Sequence, residues 1–175
     1  MKKILLFACI GILFTACDKR AAMQKEIQKI QTELLSNITN LDKDKAQLLI
    51  AKSQAYALAF PKDTSSARVL FKAADVARGI GDYPNAMKMW NEVQANFEQT
   101  KYAAESLFLQ GFTFENDLQD IEKAKQSYLK FINLYPKHEL ADDAAMALEK
   151  IDIPLEDLIK TFEAKNKAEI EAESK

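Results

Sequence analysis

Residues 107–138 read LFLQGFTFENDLQDIEKAKQSYLKFINLYPKH, and the order of residue types in this stretch decides the fold. An apolar-periodic run, Leu107 to Phe114, is followed by a polar break and then by a second periodic run carrying Ala124, Tyr128 and Phe131. Tyr135-Pro136-Lys137-His138 closes it as a turn. Apolar residues recurring every three to four positions predict two amphipathic helices joined by a short connection. Gly111 lies within the first helix, where a missing side chain lets a partner helix cross closely, and Asp120 stands where a side-chain oxygen can cap the second helix.

The same arrangement recurs upstream. Phe60-Pro61-Lys62-Asp63 and Phe97-Glu98-Gln99-Thr100 each end a periodic stretch with an aromatic residue and a turn, at spacings of 37 (60 to 97) and 38 (97 to 135). Asp82, Ala86, Trp90 and Val93 correspond to Asp120, Ala124, Tyr128 and Phe131 at a constant shift of 38. The alanines permit close helix approach, and Trp90 and Tyr128 read as large plugs between neighbouring hairpins. A period in the high thirties filled by two helices marks a helical-hairpin solenoid. Glycine and proline number four each, and strand signals are nearly absent, so the fold class is all-α. Helices are expected over 21–37, 42–59, 64–78, 83–97, 101–116, 120–134, 139–151 and 154–170. The last, opened by Pro154 and striped by Leu155, Leu158, Ile159 and Phe162, would cap the end of the solenoid. Met23, Ile27, Ile30 and Leu34 give the first helix a 4-3-4 stripe, which suits either a short coiled-coil seam or packing onto the first hairpin.

In Leu107, Gly111, Phe114, Ala124, Tyr128 and Pro136 the chain resembles the tetratricopeptide repeat family, with one residue inserted between Gly111 and Ala124. Gln110 and Phe131 depart from the family pattern. Leu70, Ala74, Ala77, Ala86 and Trp90 form a looser preceding repeat, in which Glu98 stands where proline is usual. The resemblance implies an all-α solenoid whose first helices line a concave, partner-binding groove. On this chain that face is Arg68, Phe71, Asp75, Arg78, Glu105, Phe108, Phe112 and Glu115, extended by Met146. Phe108 and Phe112, one turn apart, are expected to act as apolar anchors flanked by carboxylates. Truncating both would weaken partner binding while the fold persists.

At the amino end, Met1-Lys2-Lys3 is followed by an apolar run from Ile4 to Phe14 and by Thr15-Ala16-Cys17. The run is too short for a permanent span and reads as a cleaved export signal. A small residue directly before cysteine resembles the lipobox of bacterial lipoproteins, although Phe14 takes the place of the usual leucine. That resemblance implies a lipidated Cys17. The organisation expected is a signal peptide over 1–16, a lipidated tether over 17–22, an amino-terminal helix over 23–43, repeats over 44–152, and a capping helix with a charged tail over 153–175. The expected location is the cell envelope, on the outer membrane facing the periplasm. Asp18, which follows the cysteine, bears on sorting between the two membranes.

Chemistry is sparse. On the lipobox resemblance Cys9 would leave with the signal and Cys17 would be consumed by lipid, so no thiol would remain. His138 is a lone histidine, expected to be exposed, without a second ligand for a metal or a nucleophile to activate. Gly79-Ile80-Gly81 reads as an interhelical turn, because it lacks the following Gly-Lys-Ser/Thr of a phosphate loop. Losing Lys2 and Lys3 takes the formal charge from −2 to −4, which argues against nucleic acid as a partner. The expectation is a non-enzyme with no cofactor and no metal, binding a peptide or helix from another envelope protein. Lipid anchoring with such repeats looks like two groups, the YbgF family associated with the Tol–Pal system and the BamD-like lipoproteins of outer-membrane barrel assembly. A surface ligand-binding component of nutrient uptake is the alternative. It would need aromatic platforms, whereas Trp90 falls at a packing position.

Overall fold

The computed structural model describes residues 2–36 and 42–151, with side chains from Asp18 onward. Among these residues there are seven helices and no strand: α1 Lys2–Leu35, α2 Lys43–Ala59, α3 Thr64–Gly79, α4 Tyr83–Asn96, α5 Lys101–Asn116, α6 Ile121–Leu134 and α7 Ala141–Ile151. The chain divides into two compact units, residues 1–106 and 107–175, the division falling inside α5. Within the first unit α1 packs on α2, α2 on α3 and α3 on α4; within the second, α6 packs on α7. Helices stacked in chain order are the packing of an all-α hairpin-repeat solenoid, as expected. No described helix is long and apolar enough to cross a membrane.

The three aromatic turns are built alike. Phe60, Phe97 and Tyr135 each leave helical geometry with φ of −131°, −137° and −129°. Each donates its backbone N–H to the carbonyl four residues back, of Tyr56, Val93 and Phe131 respectively. The carbonyls of the same three residues then accept from the N–H of Asp63, Thr100 and His138 at 3.1, 2.9 and 3.0 Å. One turn design therefore recurs at the spacing seen in the sequence. It satisfies helix-end carbonyls that otherwise face no partner.

Four aspartates cap helix starts. Asp42, Asp63, Asp82 and Asp120 accept from the backbone N–H of Lys45, Ser65, Asn85 and Lys123. Asp63 does more than cap: its Oδ2 accepts from the Tyr56 hydroxyl at 2.9 Å and pairs with Arg20 at 3.4 Å, while Gln24 Nε2 donates to the same Tyr56 hydroxyl at 2.6 Å. This chain of bonds ties α1 to the turn between α2 and α3. Burial pushes the Asp63 carboxyl up, but the Ser65 amide, the Tyr56 and Ser65 hydroxyls and Arg20 outweigh it and hold it below the ordinary range. A depressed carboxylate contributes stability above its unfolded value and loses it as the pH falls. Asp63→Ala is expected to cost about 2 kcal/mol, a lost cap plus an unmatched tyrosine hydroxyl, read as a lowered urea midpoint. The deficit relative to the parent protein should shrink toward acid pH.

Ile27, Ile30 and Leu34 are buried with Ala46, Leu49, Tyr56 and Val69, and Met23 packs against them. The 4-3-4 stripe therefore serves packing onto the first hairpin rather than a coiled-coil seam. Residues 18–22, expected as a tether, are helical and belong to α1, with Asp18 to Ala22 exposed. Here the helix-forming residues of the first core-facing turn extend an uninterrupted helical run. The 139–151 helix begins two residues later than expected, at Ala141. Gly81 has φ of 80°, the left-handed geometry that its turn requires and that glycine adopts without strain. The side chains of the 1–16 signal and Cys17, and the whole 153–175 capping helix, lie outside the described residues.

Candidate functional site

The residues expected to line a binding face divide between the two units. Arg68, Phe71, Asp75, Arg78 and Glu105 belong to the first; Phe108, Phe112 and Glu115 belong to the second. On α3 the periodicity is clear. Ser66, Ala67, Val69, Leu70, Ala73, Ala74 and Ala77 are buried, leaving Arg68, Phe71, Asp75 and Arg78 on the opposite, accessible side.

The structure brings most of the first set together where α3 meets the start of α5. The Phe71 ring lies 5.3 Å from that of Tyr102, and Lys101 Nζ sits 5.3 Å from the Tyr102 ring centre. Lys101 also pairs with Glu105 at 3.5 Å. Asp75 reaches solvent, yet α3, α4 and α5 surround it: Arg78 and Lys72 lie on its own helix, Glu105 on α5, and the indole of Trp90 on α4. Trp90 is fully buried, and its Nε1 faces Asp75 and favours the ionised carboxylate. Arg68 stands apart, on the wall of a cleft shared with α1.

Desolvation pushes the Asp75 carboxyl up to about 6; Arg78 pulls it back and Glu105 raises it further. Between the ordinary carboxylate value and this one, the folded protein holds a proton that the unfolded chain has released, so stability falls as the pH rises through that window. A fully enclosed group shifted this far would lose about 3 kcal/mol. Solvent access reduces the expected loss to about 1 kcal/mol. Asp75→Asn should therefore raise stability by about 1 kcal/mol near pH 7 and leave it unchanged near pH 4, as measured by urea titration at both.

In the second unit Phe108 is half-buried. Its ring lies 5.7 Å from both Tyr128 and Phe131 of α6. It thus acts as a wedge inside its own hairpin, so its truncation would disturb the fold as well as any binding. Phe112 is half-buried, and Met146 is 48% exposed. Glu115 accepts from the Tyr128 hydroxyl at 2.7 Å. Burial, reinforced by that carboxylate, drives the Tyr128 phenol far above its usual range. Tyr128 fills space within its hairpin, against Gly111, rather than between neighbouring hairpins.

Two roles were not apparent from residue pattern. Tyr102 supplies the aromatic partner of Phe71; its place one turn before Glu105 was the available signal. His138, expected to be exposed, is half-buried against Phe131 at 5.4 Å, and its Nδ1 accepts from the Leu140 N–H at 3.2 Å. Asp63 accepts from Ser65 in the same way, two residues on. His138 therefore acts as a turn cap. Among the described residues no cluster of His, Cys, Asp and Glu is arranged to hold a metal ion.

Residues 105–138 match the family model of the tetratricopeptide repeat. The chain carries a tetratricopeptide repeat. The matched segment runs from within α5 through α6 to the His138 turn, and contains Gly111, Ala124, Tyr128 and Pro136. Comparison with curated proteins returned no match. Repeats of this type bind protein or peptide partners and typically belong to non-catalytic scaffolds, which is the general role supported for this chain.

Proposed function

We propose that this chain is a non-catalytic, lipid-anchored adaptor of the bacterial cell envelope, attached through Cys17 to the outer membrane and facing the periplasm. Its repeats capture a peptide or helical segment of another envelope protein, in barrel assembly or in Tol–Pal-type envelope maintenance. The observation that carries this reading is the tetratricopeptide repeat together with the accessible face of α3, where Phe71, Asp75 and Arg78 combine an apolar surface with charges of both signs. Burial of Trp90 removes the only tryptophan as a sugar platform, which favours an adaptor over a nutrient-binding component.

Photo-reactive residues at positions 75 and 78, activated in living cells, should give adducts with a second envelope protein, identified by mass spectrometry. Labelling with a palmitate analogue should be lost in Cys17→Ser. A folded, anchored protein that yields only self-adducts would overturn the adaptor reading. A protein that stays unlabelled would overturn its anchor.

A further inference from the structure

We propose that the outward face of α2 pairs with the same face of a second copy of this chain, as two antiparallel helices about a two-fold axis level with Ser53. This surface is separate from the α3 face that carries the adaptor reading, so either can fail without the other.

Apolar surface in water is the first observation. Ala46, Leu49, Ile50, Ser53, Tyr56 and Ala57 are the buried residues of α2, which packs against α1 and α3. On its other side lie Leu48, Ala51, Ala55 and Leu58, all exposed, Leu48 by 45% and Leu58 by 83%. At 3.6 residues per turn these four share roughly 80° of helix surface, centred opposite the buried residues. A surface helix of a folded domain carries polar residues away from its core, and one that is apolar on both sides is covered on both. The spacing of three, four and three residues along the stripe is that of the seam between two paired helices.

The order of residues identifies the occupant. In a two-fold pair the same patch serves both copies, so the patch must be complementary to itself. Leu48 and Leu58 each lie five residues from Ser53, and Ala51 and Ala55 each lie two. Antiparallel pairing therefore sets leucine on leucine at both ends. Alanine meets alanine in the middle, where small side chains let the backbones approach closely.

Charge obeys the same symmetry. Asp44, in the first turn of α2, and Lys62, in the turn that follows the helix, each lie nine residues from Ser53. Each acid thus faces a lysine of the second copy. Both residues are exposed, and among the described residues neither belongs to an ion pair. Lys45 and Lys52, which flank the stripe, are already matched by Glu33 and Glu26 of α1 at 3.2 and 2.7 Å. A parallel pair would set Asp44 on Asp44 and Lys62 on Lys62, which like charges oppose. An unrelated partner has no need of a face that reads the same from either end.

The test uses the full chain in living cells, made as two differently tagged copies. A photo-reactive residue at position 58 should link the two copies, and mass spectrometry should place the adduct near position 48 of the other. With Ala51→Cys in one copy and Ala55→Cys in the other, a mild oxidant should give roughly tenfold more disulfide between copies than either substitution alone, because only the mixed pair lies directly opposed. Asp44→Lys or Lys62→Glu should each lower the position-58 adduct roughly fivefold, by turning two attractions into two repulsions. Made together they should restore it, which excludes misfolding as the cause. Absence of an adduct between copies would overturn the proposal, as would capture of a different protein at position 58 or of residues 152–175 within the same copy. Equal disulfide yields, or adducts indifferent to the charge exchanges, would overturn the antiparallel register and the proposal with it.

Discussion

Trp90→Ala should lower unfolding free energy by about 3–5 kcal/mol, the range for removing a large buried aromatic side chain. Trp90 has no solvent exposure and is the largest fully buried side chain described, set in α4 against α3. Truncation leaves a cavity that rigid helix backbones cannot close, so the transfer and cavity terms add. With typical domain stabilities of roughly 5–15 kcal/mol, a loss of this size leaves a sizeable unfolded fraction at growth temperature. The conservative change separates volume from polarity. Trp90→Phe forfeits part of the volume and the indole N–H that faces Asp75 but keeps most of the apolar bulk, so its cost should be well under half that of alanine. Far-UV circular dichroism in urea would measure both. Equal losses for the two variants would mean that the indole N–H matters more than the space it fills.

Gly111→Val should cost about 3 kcal/mol, against the expectation from helix propensity, which favours valine over glycine in a helix interior. A Cβ at position 111 would lie 2.8 and 2.9 Å from two ring carbons of Tyr128. Neither partner has room to yield: Tyr128 is 1% exposed and is held by its bond to Glu115, and Phe108 packs on its ring. If the clash is the cause, removing the ring should remove the penalty. In a double-mutant cycle, Tyr128→Leu alone should destabilise, whereas Gly111→Val made in that background should cost at least 1 kcal/mol less than in the parent, roughly the coupling expected of residues in contact. Additive losses would instead place the strain in the α5 backbone.

Helix positions were readable from residue pattern to within two residues from α2 through α7, because burying one face of each helix imposes a 3.6-residue apolar rhythm. Asp82 and Asp120 were equally legible as caps, since capping depends on a local side chain and an amide three residues away. Phe108 and His138 were not. Whether a phenylalanine on an amphipathic helix faces a ligand or its own hairpin depends on the rotation of α6, which brings Tyr128 and Phe131 beneath Phe108. His138 looked idle because its role depends on a turn shared with Asp63, where aspartate and imidazole serve as equivalent acceptors.

Periodicity, turn chemistry and a constant shift of residue types are local or short-range properties, and they suffice to dictate the all-α class, the hairpin repeat and the glycine at position 111. Grouping Phe71 with Tyr102, enclosing Asp75 between Glu105 and Trp90, and setting Arg68 on the wall of a cleft shared with α1 required the helices to be assembled. The physical reason is distance along the chain. These neighbours lie some 15 to 50 residues apart in sequence, and only the packing angles of whole helices, set by every buried side chain together, bring them into one site.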